Sequence, residues 1–236
     1  MNYLSHFYFD QHNNDPYYIA GIALPDMVKT CNRRWNVHPD SSVGDNSFQS
    51  SIIKGWNRHL AVDALFHNSG FFKTETGKIK NYIAEIDFEN RNIRPFVLAH
   101  IGLELILDHY LLKTKKVSSS HYYQILAACD SKEFSTFLKQ NGIENSELFE
   151  KFYTQFIDYR YLHNYQNNEN FAYALNRICK RVFGAEISLL KQEELGFLLN
   201  AYIKDSENTF IFIFNEISNQ LLLNEVHLPN SFQPTN

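Results

Sequence analysis

Two segments of the chain set imidazole and carboxylate groups four residues apart. In GWNRHLAVDALFHNS, His59, Asp63 and His67 stand at i, i+4 and i+8; in LAHIGLELILDHYLL, His100, Glu104 and Asp108 repeat that spacing and His109 follows directly. Four residues of helix overshoot a full turn by only about 40°, so neighbours in each row share a face. An imidazole nitrogen and a carboxylate oxygen on consecutive turns suit one metal ion, and two helices packed face to face complete its shell. The mixed donors fit manganese, zinc or iron. The residues between them are apolar (Leu60, Val62, Leu65, Phe66; Ile101, Leu103, Leu105, Ile106), so unpaired charge there would be costly. A cation is one way to satisfy the rows; a buried polar network with salt bridges to Arg58 or Arg94 is another. His6 and Asp26 are isolated chemistry-bearing residues in apolar surroundings.

The rows need helices to carry them, and apolar residues at helical spacing predict one from Ser47 to Phe66 and another from Asn92 to Leu112, with Pro95 near its start. Asp15-Pro16 opens an earlier helix with the acid at the N-cap, running to Leu24, where Pro25 kinks or restarts it and places Asp26 in a first turn. Gly70 and Gly77 are read as bracketing a turn region before a helix at Lys78 to Phe88. Further helices are expected at Tyr122 to Ala128, Ser131 to Gln140, Ser146 to Arg160, Glu169 to Phe183 and Glu193 to Leu223. No alternating strand pair, repeat or low-complexity tract is found, which leaves an all-α, single-domain helical bundle over residues 1–230 with a loose tail at 231–236.

With 236 residues and no linker-like stretch, one core is expected. A net charge of −4 gives no reason to expect nucleic acid or an acidic membrane as partner. Cys31, Cys129 and Cys179 are odd in number and far apart, without a C-x-x-C pair, which points to a reducing cytoplasm. The first residues lack the basic start and cleavage site of a signal peptide, and no membrane span is expected, the apolar stretch Phe210 to Leu223 being short and interrupted by polar residues. Nothing in the sequence indicates an oligomeric state.

The motifs resemble those of the acyl carrier protein phosphodiesterase family. MNYLSHFYF is similar to that family's opening, GIALPDMVK to its Gly-containing segment ending in Asp-Phe-Val, GWNRHLAVD to its Gly-x-His-x-His-x-x-x-Asp element, and ELILDHYL to its Asp-x-x-x-Asp-His-[FY]-Leu element. Asn57 stands where the family has a histidine, Leu60 and Ala61 where it has a basic pair, and His67 where it has an acid. A looser resemblance is to zinc-dependent phospholipase C and its nuclease relatives, which also use H-x-x-x-D and H-x-x-x-E pairs. These resemblances imply an HD-like or phospholipase-C-like helical fold and a metal-dependent phosphodiester hydrolase. Its ligands would be Asp26, His59, Asp63, His100 and Glu104, with His67 and His6 as additions. Asp108 or His109 would orient the attacking water or protonate the leaving oxygen. Acyl carrier protein, or another phosphodiester, would be the substrate. A carrier protein would need a basic surface, for which Lys29, Arg33, Arg34 and the run Lys113, Lys115, Lys116 are candidates. A non-enzymatic helical interaction protein, its histidines and acids forming a buried network, is the reading from another class.

Overall fold

The computed structural model describes residues 1–39, 47–167 and 170–226. Among these, eleven α-helices and no strand are found, as the apolar periodicity implies. The predicted tail at 231–236 and most of the loop expected between Asn36 and Asn46 lie outside the described residues. Five helices build the site: α1 (Tyr3–Tyr8), α2 (Pro16–Cys31), α3 (Ser47–Asn68), α4 (Gly70–Ala84) and α5 (Pro95–Lys113). The rest, α6 (Ser119–Ala127), α7 (Ser131–Gln140), α8 (Glu147–Tyr159), α9 (Phe171–Phe183), α10 (Leu189–Ser206) and α11 (Phe210–Val226), support them.

The central member is α5, apolar on every side, with Leu98, Ala99, Leu103, Leu105, Ile106, Leu107 and Leu111 all buried. By length and composition alone it is apolar enough to cross a membrane. In the fold it is a core helix, packed by α1, α4 and α9.

The structure corrects the sequence reading at four places. Pro25 does not end a helix: α2 runs through it to Cys31, because α3 packs along α2 and holds it helical despite the missing donor. Gly70 and Gly77 do not bracket a turn, since both lie inside α4, which starts where the Ser69 hydroxyl accepts the Phe72 amide at 3.0 Å. The opening segment is itself a helix, α1. The long helix expected from Glu193 to Leu223 is two, α10 and α11, joined through a 3-10 turn at Glu207–Thr209.

Candidate metal centre

Site geometry begins with the close approach of α2 and α3. A Cβ on Gly55 would lie 2.1 Å from the Tyr18 carbonyl oxygen, and one on Gly21 would lie 2.4 Å from that of Ile52, so only glycines permit this contact. The approach brings His59 under α2, where its Nδ1–H donates to the Ile22 carbonyl at 2.8 Å. That bond fixes the tautomer and leaves Nε2 as a lone pair facing Asp63, the arrangement that prepares an imidazole for a metal.

The position of α1 is set by Asp108. Its carboxylate is fully buried and accepts from Ser5 N and Ser5 Oγ at 2.7 Å each, Asn2 Nδ2 at 2.8 Å and Leu4 N at 3.2 Å. Burial pushes this carboxyl up to about 7, against the pull of those donors. One turn on from this anchor, α1 delivers His6 to the same space as His59, the two rings stacked with centroids 4.0 Å apart. Replacing Asp108 by Asn turns an NH2 group toward backbone N–H donors. The Asp108→Asn protein is therefore expected to lose about 2–3 kcal/mol of stability in urea denaturation, and unchanged stability would contradict the anchoring role.

Asp63 is the hub. Its Oδ1 lies 3.2 Å from His6 Nε2, and its Oδ2 lies 3.7 Å from His59 Nε2 and 3.9 Å from His67 Nδ1. Beyond it, His67 Nε2 is 3.0 Å from His100 Nε2, and Glu104 Oε1 lies 3.1 Å from His100 Nε2 and 3.7 Å from His67 Nε2. The donor atoms thus fall into two triads, His6–His59–Asp63 and His67–His100–Glu104, each within metal-binding reach. The α-ammonium of Met1 sits between them, 2.7 Å from Asp63 Oδ1 and 3.1 Å from Glu104 Oε1, and marks where positive charge is held by both carboxylates.

The electrostatics agree with a cation-binding centre. Burial lowers His6 and His59 to about 4, so both imidazoles are neutral ligand forms near pH 7. Burial would raise Asp63, but His6, the α-ammonium and His59 outweigh it and hold the carboxyl well below the usual range. Glu104 is likewise held low, burial being overcome by the α-ammonium, His100 and His67. Burial opposes the α-ammonium itself, yet Glu104 and Asp63 raise it to about 11. Burial pushes Asp26 up to about 7, with His6 and the α-ammonium pulling it down and the charges of Asp63 and Glu104 adding to the rise. His6 Nδ1 is buried without a hydrogen-bond partner, and Nε2 lies 3.2 Å from Asp63 Oδ1. On this donor chemistry a divalent ion fits.

Of the residues picked out in the sequence, His6, His59, Asp63, His67, His100 and Glu104 converge, with Asp26 in electrostatic reach. Arg58, the alternative partner offered for the rows, forms an ion pair through Nε with Asp10 Oδ2 at 2.9 Å. Asp108 and His109 do not stand where the sequence reading put them to work. Asp108 has its oxygens engaged by α1, and His109 turns to the other side of α5, its Nδ1 2.9 Å from the Tyr165 carbonyl. Two participants went unnoticed in the sequence: the α-amino group and Phe72, whose ring meets His67 and His100 edge-on at 5.0 and 4.9 Å. Their approach depends on tertiary packing, for which helical spacing has no signal.

Compared with known proteins, residues 1–217 match the family model described as acyl carrier protein phosphodiesterase. No curated protein and no solved structure gives a significant match.

Proposed function

We propose, from the premise that this chain belongs to the acyl carrier protein phosphodiesterase family, that it hydrolyses the phosphodiester joining a phosphopantetheine arm to acyl carrier protein, and that it does so with a divalent metal. The observation that carries the metal dependence is the convergence of two buried imidazoles, His6 and His59, on the Asp63 carboxylate. His6, His59 and Asp63, with Asp26 beside them, would hold the ion. A divalent ion bound there supplies Lewis acidity toward a phosphoryl oxygen and toward water. The protein's own part is positional. The Ile22 carbonyl orients His59, Asp108 orients α1 and with it His6, and the apolar packing of α2, α3 and α5 keeps bulk water from the inner face. We place the protein in a reducing cytoplasm, where its three free cysteines stay thiols.

The direct test is mass spectrometry of holo acyl carrier protein incubated with the protein and a divalent metal. The expected products are the carrier with a free hydroxyl and released phosphopantetheine. Unchanged holo carrier with manganese, zinc and iron each supplied would refute the reading.

Carrier docking uses a separate surface. Of the basic residues expected there, Lys29 Nζ donates to the Trp35 carbonyl at 2.6 Å, Arg33 Nη1 to the Val182 carbonyl at 2.6 Å, and Lys113 pairs with Glu207 at 2.6 Å. Arg33 thereby ties the end of α2 to the end of α9, setting Arg34 and Arg181 on exposed backbone at either side of it. Reversing Arg34 and Arg181 to Glu is expected to lower kcat/KM on holo carrier protein about tenfold while sparing a small chromogenic diester. Equal effects on both substrates would sink the docking assignment.

A further inference from the structure

We propose that His67, His100 and Glu104 form a second divalent metal site, open to solvent and of zinc type, so that the chain binds two ions in unlike settings. The inference rests on the metal-dependent reading above and extends it. The motif elements that resemble the family supply His59, Asp63 and the acid at Glu104, but His100 lies outside them and His67 stands where the family has an acid. The second triad therefore joins one motif acid, Glu104, to two histidines that the matched motif elements do not supply.

The geometry points to an ion rather than to a proton. His67 Nδ1 lies 2.9 Å from the Asp63 carbonyl oxygen, an atom that only accepts, so Nδ1 carries a hydrogen and in the neutral imidazole Nε2 is the lone pair. That lone pair faces His100 Nε2 at 3.0 Å, and both nitrogens face Glu104 Oε1 at 3.7 and 3.1 Å. A hydrogen on His100 Nε2 can be aimed at Glu104 Oε1 or at His67 Nε2 but not squarely at both, whereas an ion serves all three atoms. For bonds of about 2.1 Å, ligand atoms around a metal stand about 3.0 Å apart at right angles and about 3.4 Å apart in a tetrahedron, and the observed edges bracket these values.

Exposure separates the two triads. The side chains of His67 and His100 are 33% and 30% exposed, whereas those of His6 and His59 are 1% and 3% exposed. Open coordination positions at the second site face solvent, from which a substrate would arrive. Phe72 backs both imidazoles and restricts their rotation. Two imidazoles and one carboxylate with open positions favour zinc over magnesium or calcium. Because one ammonium contacts both Asp63 and Glu104, the two sites adjoin, as in centres where a pair of ions grips one phosphoryl group.

The test is elemental analysis and zinc titration of the full chain beside His100→Gln, His67→Asn and His59→Ala, each shown folded by circular dichroism. Wild type should hold roughly two ions and each variant roughly one. In the cobalt-loaded protein, His100→Gln should remove one component of the visible spectrum and leave the other. A wild type holding a single ion, with stoichiometry and affinity unchanged in His100→Gln and His67→Asn, would overturn the proposal, as would a wild type that binds none. Two ions bound by a protein that leaves holo carrier protein intact would uphold the second site and sink the diesterase reading. One ion, unaffected by His100→Gln, in a protein that cleaves holo carrier would do the reverse.

Discussion

Asp63→Asn is expected to lower turnover of holo acyl carrier protein by at least ~10³-fold, about 4 kcal/mol of transition-state stabilisation. The size follows from how much converges on one carboxylate. Its Oδ1 faces His6 Nε2 and the α-ammonium, and its Oδ2 faces His59 Nε2 and His67 Nδ1. An amide of the same shape removes the charge that would bind a cation and that the α-ammonium pairs with at Oδ1. Because the Asp63 side chain is 30% exposed, the variant should still fold. Its bound metal, measured by elemental analysis, should fall with its activity. A folded Asp63→Asn protein with wild-type metal content and turnover would remove Asp63 from the centre of the account.

The second large effect is on the frame. Gly55→Ala should destabilise the fold by more than about 3 kcal/mol, because the added methyl meets backbone, which cannot rotate away as a side chain can. The Tyr18 carbonyl oxygen would be 2.1 Å from it, Ile22 N 2.8 Å and Gly21 C 2.9 Å. Relief requires α2 and α3 to separate, which also pulls Ile22 from His59. For a chain of this size that loss corresponds to a fall in the melting midpoint of about 10 °C. Gly77→Ala is the control: its Cβ meets nothing within 4 Å, inside α4, so it should stabilise by about 0.5–1 kcal/mol. If Gly55→Ala melts within a degree or two of wild type, the α2–α3 contact is looser than described.

The residues that could be read from sequence and those that could not divide on a physical line. Spacing of four within α3 and α5 revealed His59, Asp63, His67, His100 and Glu104, because a helix converts local spacing into a shared face whatever the tertiary fold. His6 and Asp26 entered through motif resemblance, and the fold brings both toward the rows. Asp108 has the same spacing as Glu104, yet its carboxylate is capped by Asn2, Leu4 and Ser5 from the far end of the chain. Such a contact over more than a hundred residues leaves no local pattern. Pro25 and Gly70 were misread for a related reason: a weak local preference against helix yields to packing and to the Ser69 cap. Gly55 looked like an ordinary motif glycine, and only the facing carbonyl of Tyr18 shows why a side chain is not tolerated there.

The most direct test of metal-dependent diester hydrolysis follows activity and occupancy together. The purified protein is dialysed against a chelator, shown still folded, and returned to manganese, zinc or iron in steps while bound metal and released phosphopantetheine are measured in parallel. Release should vanish with the metal and return in proportion to occupancy of the His6–His59–Asp63 triad, with His59→Ala failing to recover. Release from holo carrier protein that continues undiminished after the metal is gone would contradict the account.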